Sequence, residues 1–164
     1  MAKDHWALPE NCEKVAVVPN QTGASIGAGV YIGGRHLRKG FFVVDFVYGA
    51  DVDCVITVLE APLVNGTNAE TVTKTLPMWA STDTTASSVI PEITAAANYT
   101  FDAGDGKNQT LIIQFDPGDF SENATTGALN NAVTVSVGDS DAANLISVDF
   151  YMVPREYKKS VLVD

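Results

Sequence analysis

Four segments of the chain alternate between apolar and other residues with a period of two. In the first, Phe42, Val44, Phe46 and Tyr48 share one side while Asp45 points the other way. The apolar sides of the other three are Leu111, Ile113 and Phe115; Val133, Val135 and Val137; and Ile146, Val148, Phe150 and Met152. A period of two is typical of β-strands that turn one face to a core. No segment of comparable length carries the 3.6-residue stripe of an amphipathic helix, so the pattern predicts an all-β protein.

Short clusters of turn residues separate these segments. They are rich in Gly, Asn, Asp and Pro and occupy residues 49–51, 65–68, 102–106, 116–119 and 138–141. Further strands are expected in residues 52–60, 70–76 and 98–101, and a polar loop is expected in residues 81–88. Many short strands at this spacing predict an antiparallel β-sandwich of the jelly-roll kind.

The length and composition predict one folded domain with two arms. A chain of 164 residues is large enough to bury about 70% of its unfolded surface. Its 46% of hydrophobic and 18% of charged residues are typical of an ordered globular protein. The sandwich is expected over residues 15–154. Residues 1–14 and 155–164 lie outside the strand pattern and are expected to be extended N-terminal and C-terminal arms.

Residues 23–27 match the G-x-S-x-G pattern of a hydrolase nucleophile. That serine needs a helix after it, and then an acid and a histidine further along the chain. Residues 30–34 instead have the composition of a strand, and no acidic residue separates Ser25 from His36, the one histidine downstream. A dinucleotide-binding pattern fails too, because Ile32 stands where the third glycine belongs. The segment is therefore expected to be a turn between two strands, and the chain is not expected to be an enzyme.

Charge is unevenly distributed along the chain, which carries a formal net charge of −10. Between Gly40 and Pro154 there are 15 acidic residues but only two basic ones. Six of the other eight Lys and Arg residues gather in 35–39 and 155–159. An acidic body repels phosphate backbones, so nucleic acid is not an expected partner. No signal peptide and no long apolar run is evident, and no membrane association is expected.

The sequence offers weak metal sites, and no metal or other cofactor is expected. Asp102 and Asp105 suggest a calcium loop, but glycines occupy the third and fifth ligand positions that such a loop requires. A hairpin turn is expected there, and also at 139–141. His5 and His36 lie in no ligand pattern.

Cysteines and asparagines are given structural interpretations. Cys12 and Cys54 are expected to be reduced thiols, with Cys54 packed in a strand, although an oxidising compartment would allow them to pair. Five N-x-T sequences begin at residues 20, 65, 98, 108 and 123. Without a targeting signal they are interpreted as the Asn- and Thr-rich turn chemistry of a β protein rather than as glycosylation sites.

Four stretches of residues 39–155 share a pattern and order with a known group of proteins: residues 39–61, "MWAST" at 78–82, "NQTLIIQFDP" at 108–117, and residues 132–155, which end in a Pro-Arg pair. With these stretches, most of residues 39–155 resembles the small β-sandwich capsid decoration, or cement, proteins of tailed bacteriophages. It implies a structural protein of the virion, made in the host cytoplasm and bound to the outside of the phage head. Its partners would be the major capsid protein and copies of itself, as a dimer or trimer.

The arms are the predicted binding elements. The hypothesis is that the sandwich sits outside the shell while the arms clamp neighbouring subunits and stabilise the joints between them. The residues expected to make these contacts are Trp6, Leu8, Arg155, Tyr157, Lys158 and Leu162.

Two alternatives remain open. A neck, tail or fibre protein of the virion would share the fold but be present in few copies. A carbohydrate-binding sandwich would show an exposed aromatic row beside a groove, to which Trp6 and Trp79 could contribute, although Trp79 is expected to be half-buried at a strand end.

Overall fold

The computed structural model describes residues 13–35 and 37–154, which form two antiparallel sheets packed into a β-sandwich. This confirms the predicted fold class. The strands are β1 (Glu13–Thr22), β2 (Gly27–Ala28), β3 (Ile32–Gly33), β4 (Leu37–Val47), β5 (Cys54–Ala61), β6 (Glu70–Thr71), β7 (Leu76–Ser81), β8 (Glu92–Ala96), β9 (Asn98–Phe101), β10 (Gln109–Phe115), β11 (Ala132–Val137) and β12 (Leu145–Pro154).

The first sheet has the strand order β1-β12-β4-β10-β7-β8. The second has the order β2-β11-β5-β6, with β3 also paired to β11 and β9 also paired to β5. From β8 onward the chain passes to the other sheet at each step. The expected hairpins at 102–106 and 139–141 are therefore wrong, because each of these turns joins strands that have their partners in different sheets.

The core lies between the sheets and contains the four predicted apolar faces. In the first segment, Phe42, Val44 and Phe46 are buried. All apolar-face residues of the three later segments are buried as well, and none of these residues has more than 2% of its surface exposed. Aromatic rings pack across strands: the centroids of Phe42 and Phe150 lie 4.6 Å apart. Thr134 departs from the pattern, since it is also fully buried and its hydroxyl donates to the Val30 carbonyl at 2.9 Å.

The strand predicted over 70–76 is wrong in extent. Glu70 pairs with β5 in the second sheet, whereas Leu76 pairs with β8 in the first. The chain must cross between the sheets over these few residues, so two short strands replace one. Trp79 is half-buried as expected, but it lies inside β7 rather than at a strand end.

The turn predicted at 23–27 is confirmed. It joins β1 to β2, and both Ser25 and Gly27 adopt positive φ angles, of 58° and 69°. The Ser25 amide donates to the Asp139 carboxylate at 2.7 Å, which fixes the turn against the loop before β12. Ser25 therefore occupies a structural turn.

Two of the N-x-T asparagines make the predicted turn contacts. The side-chain oxygen of Asn65 accepts from the Thr67 amide at 3.0 Å, and that of Asn123 accepts from the Thr126 amide at 3.0 Å. Asn108 instead joins two loops, because its side-chain oxygen accepts from the Tyr48 amide at 2.9 Å.

Candidate interaction surfaces of the sandwich

One end of the first sheet gathers segments that are far apart in the sequence. Glu13, which begins β1, pairs with Met152 near the end of β12. Pro154, which ends β12, pairs with Leu37 at the start of β4. Since β1, β12 and β4 are adjacent strands, both predicted arms and the basic 35–39 segment leave from one place. We call this place, defined by Glu13, Leu37 and Pro154, the arm end.

The predicted binding residues themselves lie outside the described residues. These are Trp6, Leu8, Arg155, Tyr157, Lys158 and Leu162. The structure instead fixes the points from which their segments begin. Residues 1–12 precede β1 and residues 155–164 follow β12, so the two segments start from neighbouring strands at the arm end.

The arm end is basic. Lys14, Arg35 and Arg38 are exposed, and Lys39 is half-buried. The Lys14 ammonium lies 2.9 Å from the Asp149 carboxylate and 5.7 Å from the centre of the Tyr151 ring. The hydrogen bond to Asp149 raises the pKa of Lys14 above its usual value. Among the described residues, neither Arg35 nor Arg38 forms an ion pair.

The opposite end of the sandwich is acidic. There the loops that follow β4, β9 and β11 converge, and they carry exposed carboxylates at Asp51, Asp53, Asp102, Asp105 and Asp139. The Asp53 carboxylate accepts from the Ala103 amide at 2.9 Å, which holds two of these loops together. Exposed basic residues therefore lie where β1, β12 and β4 meet at the arm end, and exposed carboxylates cluster at the loop end.

The outer surface of the first sheet is a second candidate surface. Along β4 the side chains alternate, so Phe41 and Val43 point away from the core while Phe42 faces it. Val43 lies opposite Ile112, which lies opposite Trp79; Phe41 lies opposite Tyr151. Side chains opposite one another on a sheet are in contact range. We call these five residues, all half-buried, the outer apolar face.

Such a face is unusual for the outside of an antiparallel sheet. One face of such a sheet normally packs on the core while the other carries polar residues into water. Apolar patches with polar borders often mark sites of protein interaction. Here the border includes Asp45, which accepts from the Thr110 hydroxyl at 2.7 Å, and the exposed Glu92.

The sequence analysis missed this face, although a signal was available. The segment Gly40–Val47 is apolar at almost every position, and Leu111–Ile113 contains three apolar residues in a row. Strands that are apolar on both sides are typical of sheets covered on both faces. The prediction considered only the core-facing positions of these strands, so it did not include the apolar residues on their outer side.

Two carboxylates away from the loop end serve structural roles. Glu60 is fully buried, and its side chain accepts from both the amide and the hydroxyl of Ser121. Glu70 accepts from the Asn130 side chain at 2.9 Å and from the Ala124 amide at 3.0 Å. Both therefore fasten the long segment between β10 and β11 to the second sheet.

Other chemistry is limited in the part of the chain that the structure describes. No group of three or more metal-ligating side chains is found among residues 13–35 and 37–154. Within the same ranges there is no helix that is both long and apolar enough to span a membrane. Cys54 is a buried free thiol, and burial raises its pKa to about 11, so it is unreactive near neutral pH.

No family model matches the chain, and no curated protein matches its sequence. Among solved structures, the SPBc2 prophage-derived protein YomS is similar with a TM-score of 0.48 and 13% identity, over 87% of this chain and 92% of that one. A candidate sugar-binding protein from Bacteroides thetaiotaomicron VPI-5482 gives a TM-score of 0.27 and 10% identity, over 87% and 65% of the two chains. The Tobacco streak virus coat protein gives a TM-score of 0.18 and 11% identity, over 93% of each chain. All three TM-scores lie below 0.5, so these likenesses establish neither a shared fold nor a shared function.

Proposed function

We propose that this protein is a structural protein of a bacteriophage virion, a capsid decoration protein that binds the outside of the head and stabilises joints between major capsid subunits. The observation that carries the proposal is the arm end. Two segments without a place in the strand pattern start from adjacent strands there, beside the exposed Arg35 and Arg38. A sandwich built in this way presents its arms to one surface.

The basic cluster at the arm end gives the bound molecule an orientation. A basic end is attracted to acidic groups on a partner, and such complementarity speeds association and fixes the docking direction. The arm end then faces the shell, and the acidic loop end, with Asp51 and Asp139, faces water. Acidic outer ends also repel one another, which disfavours aggregation of decorated heads.

Stabilisation of the shell follows from multivalent attachment. A protein that contacts two capsid subunits with two arms makes its second contact at high effective concentration. Because it binds the assembled joint and not the separated subunits, it shifts the equilibrium toward the assembled shell. This work requires neither catalysis nor a cofactor, and it suits a dimer or trimer at a symmetric joint.

The test is a binding assay on purified heads that lack the protein. Heads are incubated with the intact chain or with a variant lacking residues 155–164, sedimented, and the bound copies are quantified. The deletion is expected to abolish binding while thermal unfolding stays cooperative. Unchanged occupancy would remove these residues from the mechanism.

A charge reversal tests the orientation separately. Arg35→Glu combined with Arg38→Glu is expected to reduce head binding, with the largest effect at low salt, because both side chains are exposed at the arm end. Lys107→Glu is the matched control, since Lys107 is an exposed cation at the loop end, 3.9 Å from Asp83. Equal losses in the two variants would refute the orientation.

One observation favours a second candidate, a carbohydrate-binding sandwich. Trp79, Phe41 and Tyr151 share the outer apolar face, and aromatic surfaces of this kind can stack on sugar rings. A glycan array distinguishes the candidates. Reproducible binding that is lost in Trp79→Ala, together with no binding to heads, would favour the carbohydrate function.

A further inference from the structure

The outer apolar face lies next to the strand from which residues 155–164 begin. Tyr151, a member of the face, is three residues before Pro154 on β12. The face extends from there across β4 and β10 to Trp79 on β7. Its members remain half-buried within the described structure, so a further partner would remove apolar surface from water.

Residues 155–164 have the composition to cover such a face. They include Tyr157 and the apolar run Val161-Leu162-Val163, and three of their residues are basic. The border of the face carries acidic groups, among them Asp45 and Glu92, which have no ion pair with any described residue. The apolar run therefore matches the face, and the basic residues match its border.

The same residues are poorly suited to fold back on their own sheet. β12 runs away from the face as it reaches Pro154, so a return would need a tight reversal of the chain. Residues 155–159 contain no Gly, Asn, Asp or Pro, the residues that favour tight turns. Ten extended residues span about 33 Å, which is the length of a strand such as β12. That reach is enough to cross to a neighbouring molecule.

We propose that residues 155–164 of one copy of this chain bind the outer apolar face of a second copy. The exchange links decoration proteins through the outer apolar face of one copy and residues 155–164 of another, so these residues would serve either the capsid or a neighbouring copy, and Ile112→Asp separates the two roles. The exchange goes beyond capsid binding and operates without a capsid.

The experiment measures self-association in solution by sedimentation equilibrium. The intact chain is compared with the variant lacking residues 155–164, with Ile112→Asp at the centre of the face, and with Val55→Asp. Val55 is the matched control, because it is 42% exposed on β5 of the opposite sheet. The intact chain and Val55→Asp are expected to self-associate, and the other two variants are expected to be monomers.

A peptide of residues 155–164 supplies a second measurement that needs no folded variant. Added in excess, it is expected to dissociate the intact oligomer. Labelled with a fluorophore, the peptide is expected to bind the truncated protein. Its affinity for the truncated protein that also carries Ile112→Asp is expected to be at least ~10-fold lower, since binding would bury a carboxylate among apolar groups.

Each contrary outcome overturns the exchange. Self-association that survives the truncation or Ile112→Asp would mean that the copies meet through another surface. An intact chain that is monomeric, with a truncated form that binds the peptide at the face, would mean that each chain covers its own sheet. No capsid is present, so failure here leaves the proposed capsid binding standing, and failure of capsid binding leaves this result standing.

Discussion

Asn144 holds the acidic loop end together, and its replacement by alanine should destabilise the sandwich without weakening head binding. The residue is fully buried. Its side-chain oxygen accepts from the amides of Gly49 and Ala50, each at 2.8 Å. Its side-chain nitrogen donates to the Val52 carbonyl at 3.1 Å and to the Ser140 hydroxyl at 2.8 Å. One side chain thereby joins the loop after β4 to the loop before β12.

The expected cost follows from those four hydrogen bonds. A hydrogen bond between neutral groups contributes roughly 0.5–1.5 kcal/mol to stability, and an unsatisfied buried partner costs more. The loops lie near water, which can replace part of what is lost, so we take the lower end of the range, about 2–3 kcal/mol in total. For a chain of this size each kcal/mol lowers Tm by roughly 2–4 °C, which gives a loss of about 4–12 °C.

The assay is thermal unfolding followed by circular dichroism, with Asn65→Ala as the control. Asn65 is exposed and makes one local hydrogen bond, to the Thr67 amide, so its loss should cost less than about 0.5 kcal/mol. Head binding of Asn144→Ala at a temperature where it stays folded should equal that of the intact chain. A Tm change no larger than that of Asn65→Ala would refute the reasoning, and reduced head binding would place the loop end at the interface.

Two further predictions concern the interior. Gly40→Ala should lower the free energy of unfolding by about 1–3 kcal/mol or more, because the added Cβ would lie 2.0 Å from Cζ of Phe150. Gly118→Ala is the control and should be neutral, since its added Cβ would have no atom within 4 Å. Similar losses of stability in thermal unfolding of the two variants would contradict the packing around Gly40. The pKa of Cys54 is about 11 in the folded protein and 9.0 ordinarily, so folding favours the protonated thiol. The stability that this preference contributes is present below pH 9 and is lost as the pH rises toward 11. Mass spectrometry should accordingly find Cys54 alkylated by iodoacetamide at pH 8 only after unfolding, and rapid labelling of the folded protein would contradict its burial.

The sequence predicted the class of fold and the main core residues because both depend on local alternation. Phe42, Val148 and most of their counterparts follow the period of two in the structure, although Tyr48 is half-buried at the edge of the core. Thr134 could not be predicted to be buried, since its burial depends on the distant Val30 carbonyl. The local pattern also could not show that residues 102–106 connect the two sheets, because the sheet to which β10 belongs is decided by its partners β4 and β7.

The candidate surfaces were predictable to different degrees. The arms and basic segments are visible in the sequence, but their convergence depends on the pairing of Pro154 with Leu37, which are distant along the chain. Nothing local specifies that pairing. The outer apolar face was marked by the doubly apolar segments of β4 and β10, but the arrangement that brings Trp79 beside Ile112 comes from the strand order.

The most direct test of the decoration hypothesis is cryo-electron microscopy of the particle with which the chain copurifies, combined with quantitative gel analysis of copy number. We expect hundreds of copies on the outside of an icosahedral head, each with Arg35 and Arg38 toward the shell and the acidic loops toward solvent. A handful of copies at one vertex would contradict this account and identify a neck or tail component. Absence from every particle would contradict a virion role altogether.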